Sequence, residues 1–134
     1  MSTSVKSKAP VTLDLLNEMG KAFNNHDIDA IMSYFADDGV FLLARGTDPW
    51  GKSLKGKAEI RALLTERFKT SKNMKWNLLN QYVCGHNAVT EWLLTGTTGK
   101  GEELNLYGCD LFVFNDDGKI VKKDTYWKSK EPVA

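Results

Sequence analysis

Apolar residues recur at helical spacing in three segments of the first half of the chain. Residues 11–25 carry an apolar residue every three or four positions, which predicts an amphipathic helix. A second, shorter helix is predicted over Ile28 to Phe35, because Asp27 before it is a favourable N-cap residue. A third helix is predicted over residues 57–70. Its predicted buried stripe consists of Ile60, Leu63, Leu64 and Phe68.

The segment between the second and third helices predicts one strand and one loop. The sequence VFLLA at residues 40–44 is a continuous apolar run, typical of a strand that is buried on both faces. The sequence ADDG just before it predicts a turn. Residues 45–56 are rich in glycine and contain Pro49, so they predict an irregular loop.

After Asn73 the pattern changes from helical to strand-like spacing and stays so. Helices followed by antiparallel strands indicate an α+β fold rather than alternating β-α-β units. With no internal repeat or linker, we expect one domain over residues 11–130, a loose lead-in over 1–10 and a tail over 131–134. The predicted strands cover residues 74–84, 88–97, 103–114 and 119–128.

The last two strands predict a hairpin with two unlike faces. Asp117-Gly118 predicts a two-residue type I′ turn, which places Asp110 opposite Thr125 and Phe112 opposite Lys123. Since side chains alternate between faces, charged and apolar residues share each face, and one face is expected to line a cavity. That face carries Gly108, Asp110, Phe112, Phe114, Val121, Lys123, Thr125 and Trp127. The other carries Cys109, Leu111, Val113, Lys122, Asp124, Tyr126 and Lys128.

Charge and composition narrow the classes of partner. The chain has 18 basic and 17 acidic residues, a net charge of +1, which gives no field to attract nucleic acid or an anionic membrane. No apolar run approaches the length of a membrane span. The polar start predicts no secretory signal, and the two cysteines suggest no disulfide framework. We therefore expect a cytoplasmic protein that binds neither nucleic acid nor a membrane.

The order of elements, with HDIDAIMSYFADDGVFLL, GKAEIRALL and GCDLFVFNDDGKIVKKDTYWK, resembles the nuclear transport factor 2-like superfamily and, within it, the SnoaL-like branch. The resemblance covers about residues 13–128. It implies a cone-shaped, strongly curved antiparallel sheet with three helices enclosing an apolar pocket. Members include ketosteroid isomerase, limonene epoxide hydrolase, scytalone dehydratase, polyketide cyclases and cofactor-independent lyases of lignin-derived aromatics, and many others are non-catalytic. The fold is therefore implied, and the reaction is not.

The resemblance also assigns positions one by one. The aspartate base of ketosteroid isomerase matches Leu43, and its oxyanion-hole tyrosine matches Met19, so neither group is retained. Its second oxyanion donor matches Asp110, and a pocket tryptophan matches Trp127. The catalytic aspartate of limonene epoxide hydrolase on the last strand matches Thr125. The resemblance thus argues against steroid isomerisation and against that form of epoxide opening.

Asp110, Lys123 and Thr125 are the candidate catalytic residues on the predicted inner face. A carboxyl group in an apolar pocket can exchange protons near neutral pH, whereas the alternative for Asp110 is a structural pair with Lys123 or a backbone amide. A desolvated lysine can act as base, nucleophile or oxyanion partner, and the alternative for Lys123 is a charge that reaches water at the rim. Thr125 could orient either group.

The candidate substrate-binding residues are mostly apolar. Arg45 and Trp50 lie in the irregular loop and are expected to gate the pocket mouth, unless this loop is only a solvated turn. The expected walls, for which ordinary core packing is the alternative, are Leu43, Trp92, Phe112, Trp127 and Met19. The resemblance also implies a homodimer through the outer sheet face, with a patch formed by Cys109, Leu111, Val113 and Tyr126.

The leading hypothesis is a cofactor-independent acid–base enzyme of lyase, isomerase or hydrolase-like type. Its substrate would be a small, largely apolar molecule, aromatic ones included. No metal site is expected, because His86 near Cys84 and the distant His26 do not supply four ligands. The alternatives are a non-catalytic small-ligand binding module and a dimeric interaction module.

Overall fold

The computed structural model describes residues 10–133, and within this range the predicted α+β fold is confirmed. The predicted lead-in lies outside the described residues except for Pro10, and so does Ala134 of the predicted tail. No helix in the described range is long and apolar enough to cross a membrane. The helices are α1 (Leu13–Asn24), α2 (Ile28–Ser33) and α3 (Lys57–Thr70), and the strands are β1 (Phe35–Leu42), β2 (Ser53–Lys55), β3 (Lys75–Cys84), β4 (Asn87–Thr97), β5 (Glu103–Phe114) and β6 (Ile120–Trp127).

Side-chain caps explain where the first two helices begin. Thr12 Oγ1 accepts a hydrogen bond from Leu15 N at 3.1 Å, and Asp27 Oδ1 accepts one from Ala30 N at 3.2 Å. The predicted cap at Asp27 is therefore confirmed. Helix α2 ends at Ser33, two residues earlier than predicted, because Phe35 already pairs with β6.

The sheet is curled and has the strand order β2-β1-β6-β5-β4-β3, so β2 and β3 are its edges. The prediction of a wholly antiparallel sheet is wrong at one place, since β1 and β6 run parallel. The other pairs are antiparallel, and β3 to β6 follow one another along the chain as hairpin neighbours. Strand β1 instead follows two helices and lies beside the last strand, so no hairpin fixes its direction.

Strand β1 differs from its prediction in length. The sequence ADDG at residues 36–39, predicted as a turn, lies inside β1 at an irregularity between the pairs Phe35↔Ile120 and Val40↔Lys122. Strand β2 falls in the predicted loop, where it pairs with the end of β1. The predicted loop is therefore a short hairpin that extends the sheet.

The β5–β6 hairpin has the predicted register but a different turn. Asn115 N donates to Lys119 O at 2.9 Å and Gly118 N donates to Asn115 O at 3.0 Å, which makes a three-residue loop with Gly118 at φ +75°. An extra residue in β6 shifts the pairing back, so that the predicted pairs from Gly108↔Trp127 to Val113↔Lys122 are all present. Because of this shift, the fully buried side chain at the start of β6 is that of Ile120, and not that of Val121 as predicted.

The helices pack against the concave face of the sheet. Ile60, Leu64 and Phe68 of α3 are buried as predicted, and Leu63 is half-buried. Asn24 at the end of α1 joins it to β3, because its side chain donates to Trp76 O at 3.0 Å and accepts from Trp76 N at 2.8 Å. These contacts fix α1 across β3 and leave space between α1 and the inner face of β4 to β6.

Candidate active site

Four side chains on the inner face form one hydrogen-bonded cluster, which we call the Asp110 cluster: Trp92, Asp110, Lys123 and Thr125. Lys123 Nζ donates to Asp110 Oδ1 at 3.1 Å and to Thr125 Oγ1 at 3.0 Å. Thr125 Oγ1 donates to Asp110 Oδ1 at 2.6 Å, and Trp92 Nε1 donates to Asp110 Oδ2 at 3.0 Å. One carboxylate therefore accepts three hydrogen bonds.

The Asp110 cluster is buried. Asp110 and Lys123 are each 6% exposed and Thr125 is 8% exposed. The Lys123 ammonium also lies 4.0 Å from the centroid of the Phe41 ring, within cation–π range. Burial lowers the pKa of Lys123 from its ordinary value, and the adjacent Asp110 carboxylate opposes this change.

The strand register places these groups together. Asp110 pairs with Thr125 on one side and with Thr90 on the other, and Gly108 pairs with Trp92. Gly108 carries no side chain where the indole crosses β5, and a Cβ atom there would clash with the backbone oxygen of Tyr126 and lie 2.6 Å from Trp92 Cη2. The glycine thus lets the indole N–H reach the carboxylate two residues along the strand.

Two cavities meet at the Asp110 cluster. The larger chamber, about 560 Å³, lies between α1 and the sheet. The smaller chamber, about 200 Å³, lies between the end of β1, α3 and the sheet. Trp76, Trp92 and Lys123 line both chambers, whereas Asp110 lines the larger and Thr125 the smaller. The cluster is therefore accessible from two sides of one divided site.

The structure brings most of the predicted site residues to these walls. Met19 and Phe112 line the larger chamber together with Trp92 and Asp110. The smaller chamber is lined by Leu43, Arg45, Thr125 and Trp127.

Trp50 is the exception. It is 57% exposed and lines neither chamber. The loop closes on itself through hydrogen bonds from Lys52 N to Arg45 O and from Gly51 N to Asp48 O, both 3.0 Å. Trp50 therefore lies at the tip of the β1–β2 hairpin, and its expected place at the pocket mouth is corrected.

Sequence reasoning missed two residues at the site. Trp76, which is not among the predicted site residues, lines both chambers and packs edge-on against Phe23 at 5.8 Å between ring centroids. Arg67 of α3 lines the smaller chamber. Its signal was present in the sequence, because residue 67 falls at the i+7 position of the stripe that begins at Ile60.

Both histidines have contacts outside the chambers. His26 Nε2 lies 2.7 Å from Met74 O, and the ring stacks on Phe68 at 4.1 Å. His86 Nε2 lies 2.8 Å from Asp116 Oδ1 in an exposed pair. Among residues 10–133, no three His, Cys, Asp or Glu side chains are grouped so that they could hold a metal ion.

A sequence model of the SnoaL-like domain matches residues 16–123, which include most of α1 and most of the Asp110 cluster. The chain belongs to the SnoaL-like domain family. Its fold within the nuclear transport factor 2-like superfamily agrees with the predicted resemblance. No curated protein matches the chain at a significant level.

Solved structures agree with this SnoaL-like fold. A nuclear transport factor 2-like protein of unknown function from Burkholderia pseudomallei has a TM-score of 0.76 and 18% identity, over 87% of this chain and 89% of that one. A protein from Xanthomonas campestris pv. campestris, provisionally described as a polyketide cyclase, has a TM-score of 0.74 and 20% identity, over 87% and 89%. A SnoaL-like protein of unknown function from Burkholderia thailandensis has a TM-score of 0.71 and 20% identity, over 93% and 100%. At these identities the likeness shows the fold alone.

Proposed function

We propose that the protein is a cofactor-independent acid–base enzyme of lyase, isomerase or hydrolase-like type, acting on a small, largely apolar molecule such as an aromatic one. One observation carries the proposal: a buried carboxylate–ammonium pair stands at the boundary of two chambers with mainly apolar walls. A buried ion pair is costly to desolvate and is weak support for stability, so a functional role accounts for it better than packing does.

Asp110 is the proposed proton acceptor. Its Oδ1 accepts two hydrogen bonds, while Oδ2 accepts only the one from Trp92. A carboxylate oxygen has two lone pairs, so Oδ2 keeps one free for a substrate proton. Asp110 lines the larger chamber, where an apolar substrate would lie.

Lys123 is the proposed stabiliser of negative charge that develops on the substrate. The ammonium has three N–H donors, of which two bind Asp110 and Thr125. The third can donate to an oxyanion in either chamber, since Lys123 lines both. Thr125 is a positioning residue, because its hydroxyl bridges the two charged groups.

The walls are proposed to select for apolar ligands. Met19, Trp92 and Phe112 would contact a ligand in the larger chamber, and Leu43 and Trp127 one in the smaller. A volume near 560 Å³ lies within the range of small-molecule pockets. Arg45 is exposed and would contact a ligand at the rim of the smaller chamber.

Hydrogen exchange in D₂O tests the acid–base proposal without knowledge of the true substrate. Aromatic ketones and aldehydes with an acidic C–H are incubated with the protein, and loss of the C–H signal is followed by ¹H NMR. We expect catalysed exchange for some members of the panel, and a loss of roughly 10²- to 10⁴-fold in Asp110→Asn. Asp124→Asn is the matched control, because Asp124 lies on the opposite face of β6. Equal exchange in Asp110→Asn and wild type would refute the assigned role.

A second candidate is a non-catalytic binding module. The three hydrogen bonds on the Asp110 carboxylate favour it, because they hold the group in one position, as a site that only binds and orients a ligand requires. This candidate predicts that the panel compounds bind, that none exchanges, and that Asp110→Asn leaves their affinities within a few-fold of wild type.

We further propose a homodimer formed through the outer sheet face. Leu111 and Tyr126 are 38% and 53% exposed there, and the half-buried Cys109 and Val113 flank Leu111 on the same face of β5. Sedimentation equilibrium should give twice the chain mass for wild type and a monomer for Leu111→Glu. Cys84 and Cys109 are free thiols, which supports a reducing, cytoplasmic location.

A further inference from the structure

Arg67 is a half-buried cation with no partner among the described residues. It lies in the last turn of α3 and lines the smaller chamber. The ion pairs of the described range are made by other residues, and its guanidinium makes no hydrogen bond there. A guanidinium carries five N–H donors, so Arg67 has free donors to offer a ligand in this chamber.

The charges around the smaller chamber are unbalanced. Of the residues that the structure describes, Arg45, Arg67 and Lys123 line it, and no Asp or Glu does. The nearby Asp110 carboxylate is already bound by Lys123 and faces the larger chamber. Among the described residues, Asp110 is the one buried carboxylate near Arg67 and Lys123, and Asp124 on the outer face only adds a weaker attraction to Lys123. Burial lowers the pKa of Arg67 and Asp110 only partly opposes this, as expected for a cation short of anionic neighbours.

We propose that the smaller chamber binds the carboxylate of an aromatic or other apolar acid, with Arg67 as its main ligand and the apolar body in the larger chamber. This inference rests on the proposed function only in placing the ligand in the same two chambers. A planar guanidinium matches a carboxylate with two parallel hydrogen bonds. The apolar side chains of Leu94, Leu104 and Leu106 around the group favour an organic acid over a free inorganic anion.

A bound carboxylate would also preserve the Asp110–Lys123 pair. Without it, Arg67 and Lys123 both draw on one carboxylate, and Arg67 lowers the pKa of Lys123. With the acid on Arg67, the local charges balance, and Asp110 and Lys123 remain available to the ligand atoms in the larger chamber. The substrate carboxylate thus supplies the missing charge and fixes the orientation of the substrate.

Calorimetric titration of matched acids and amides tests this inference without any turnover. The probes are phenylacetate, 3-phenylpropanoate and 2-naphthylacetate, their primary amides, and inorganic phosphate. We expect at least one acid to bind wild type about 10-fold or more tightly than its amide. Arg67→Gln should weaken that acid by roughly 10- to 100-fold, the range for hydrogen bonds to a charged group, and leave the amide unchanged. Lys69→Gln is the matched control, since Lys69 is an exposed cation in the same helical turn.

The inference is overturned if every acid binds no better than its amide, if phosphate binds as tightly as the best acid, or if Arg67→Gln leaves the acid affinity unchanged. Should Arg67→Gln unfold, Arg67→Lys, which keeps the charge but not the planar fork, should still lose most of the preference. The two proposals fail separately. Equal binding of acids and amides overturns only the role of Arg67, whereas Arg67-dependent binding without hydrogen exchange leaves this inference intact and refutes the acid–base enzyme.

Discussion

Replacing Lys123 by Met removes the ammonium of the buried ion pair while keeping a side chain of similar length. The Asp110 carboxylate then retains only the hydrogen bonds from Trp92 and Thr125. Breaking a buried pair by removing one partner costs about 3–5 kcal/mol, because an uncompensated charge stays in a medium that solvates it poorly. We expect a loss of this size in the free energy of unfolding, or a midpoint lowered by roughly 10–15 °C.

The chain contains a matched control for this prediction. The Lys21–Glu18 pair has the same 3.1 Å N···O distance as Lys123–Asp110, but its side chains are 70% and 59% exposed instead of 7% and 8%. Lys21→Met should therefore cost no more than about 1 kcal/mol, because water screens an exposed pair. Because the N···O distance is the same in both pairs, the difference between the two losses in unfolding free energy reports the effect of burial.

Urea denaturation followed by circular dichroism measures both losses. The double variant Asp110→Asn/Lys123→Met should lose less than the sum of its two single variants, because it leaves neither charge alone; a coupling of about 1–3 kcal/mol is expected. If Lys123→Met costs no more than Lys21→Met, or if the double variant is additive, the interpretation of the pair as a desolvated unit is wrong.

Three further predictions concern the same cluster. The pKa of Lys123 is lower in the folded than in the unfolded chain. At a pH between these two pKa values the unfolded chain binds more protons, so the free energy of unfolding rises with pH. Urea titrations from pH 7 to 10 should show a rise in wild type relative to Lys123→Met, by at most about 1.4 kcal/mol per pH unit; parallel profiles would contradict this. Gly108→Ala should displace the Trp92 indole, shift its fluorescence and weaken ligand binding, whereas unchanged emission would show that the close approach is not required. Thr125→Val removes the 2.6 Å hydrogen bond to the carboxylate and should cost about 1–3 kcal/mol in thermal denaturation, with Thr125→Ser restoring most of it; equal losses in both variants would assign the effect to packing.

Strand periodicity predicts the shared face of three of the four side chains in the Asp110 cluster, and Trp92 was placed near them by the family resemblance. Alternation along β5 and β6 predicts that Asp110, Lys123 and Thr125 share one face, and it depends only on the register. The predicted turn was wrong, yet the register was right, because the longer loop and the extra residue in β6 compensate each other. Only the buried residue next to the turn changed, from Val121 to Ile120.

Features that depend on contacts between distant elements could not be predicted in this way. The parallel pairing of β1 with β6 and the division of the cavity arise from packing that no local pattern encodes. The exposure of Trp50 could not be predicted either, because it follows from the hydrogen bonds that close the β1–β2 hairpin. Arg67 is different, because its position in the apolar stripe of α3 is a local pattern, and this pattern predicts that the cation faces the interior.

The place of β6 in the sheet determines when the site can form during synthesis. β6 is the last strand along the chain, yet it lies between β1 and β5 and pairs Phe41 with Lys123, about 80 residues away. Until β6 emerges from the ribosome, β1 and β5 each present an open edge and the wall between the chambers is missing. A chain arrested before Ile120 would therefore expose apolar chamber walls beside unpaired strand edges, the combination most prone to aggregate. The same eight residues that bring Lys123 and Thr125 to the site thus also cover the open edges of β1 and β5.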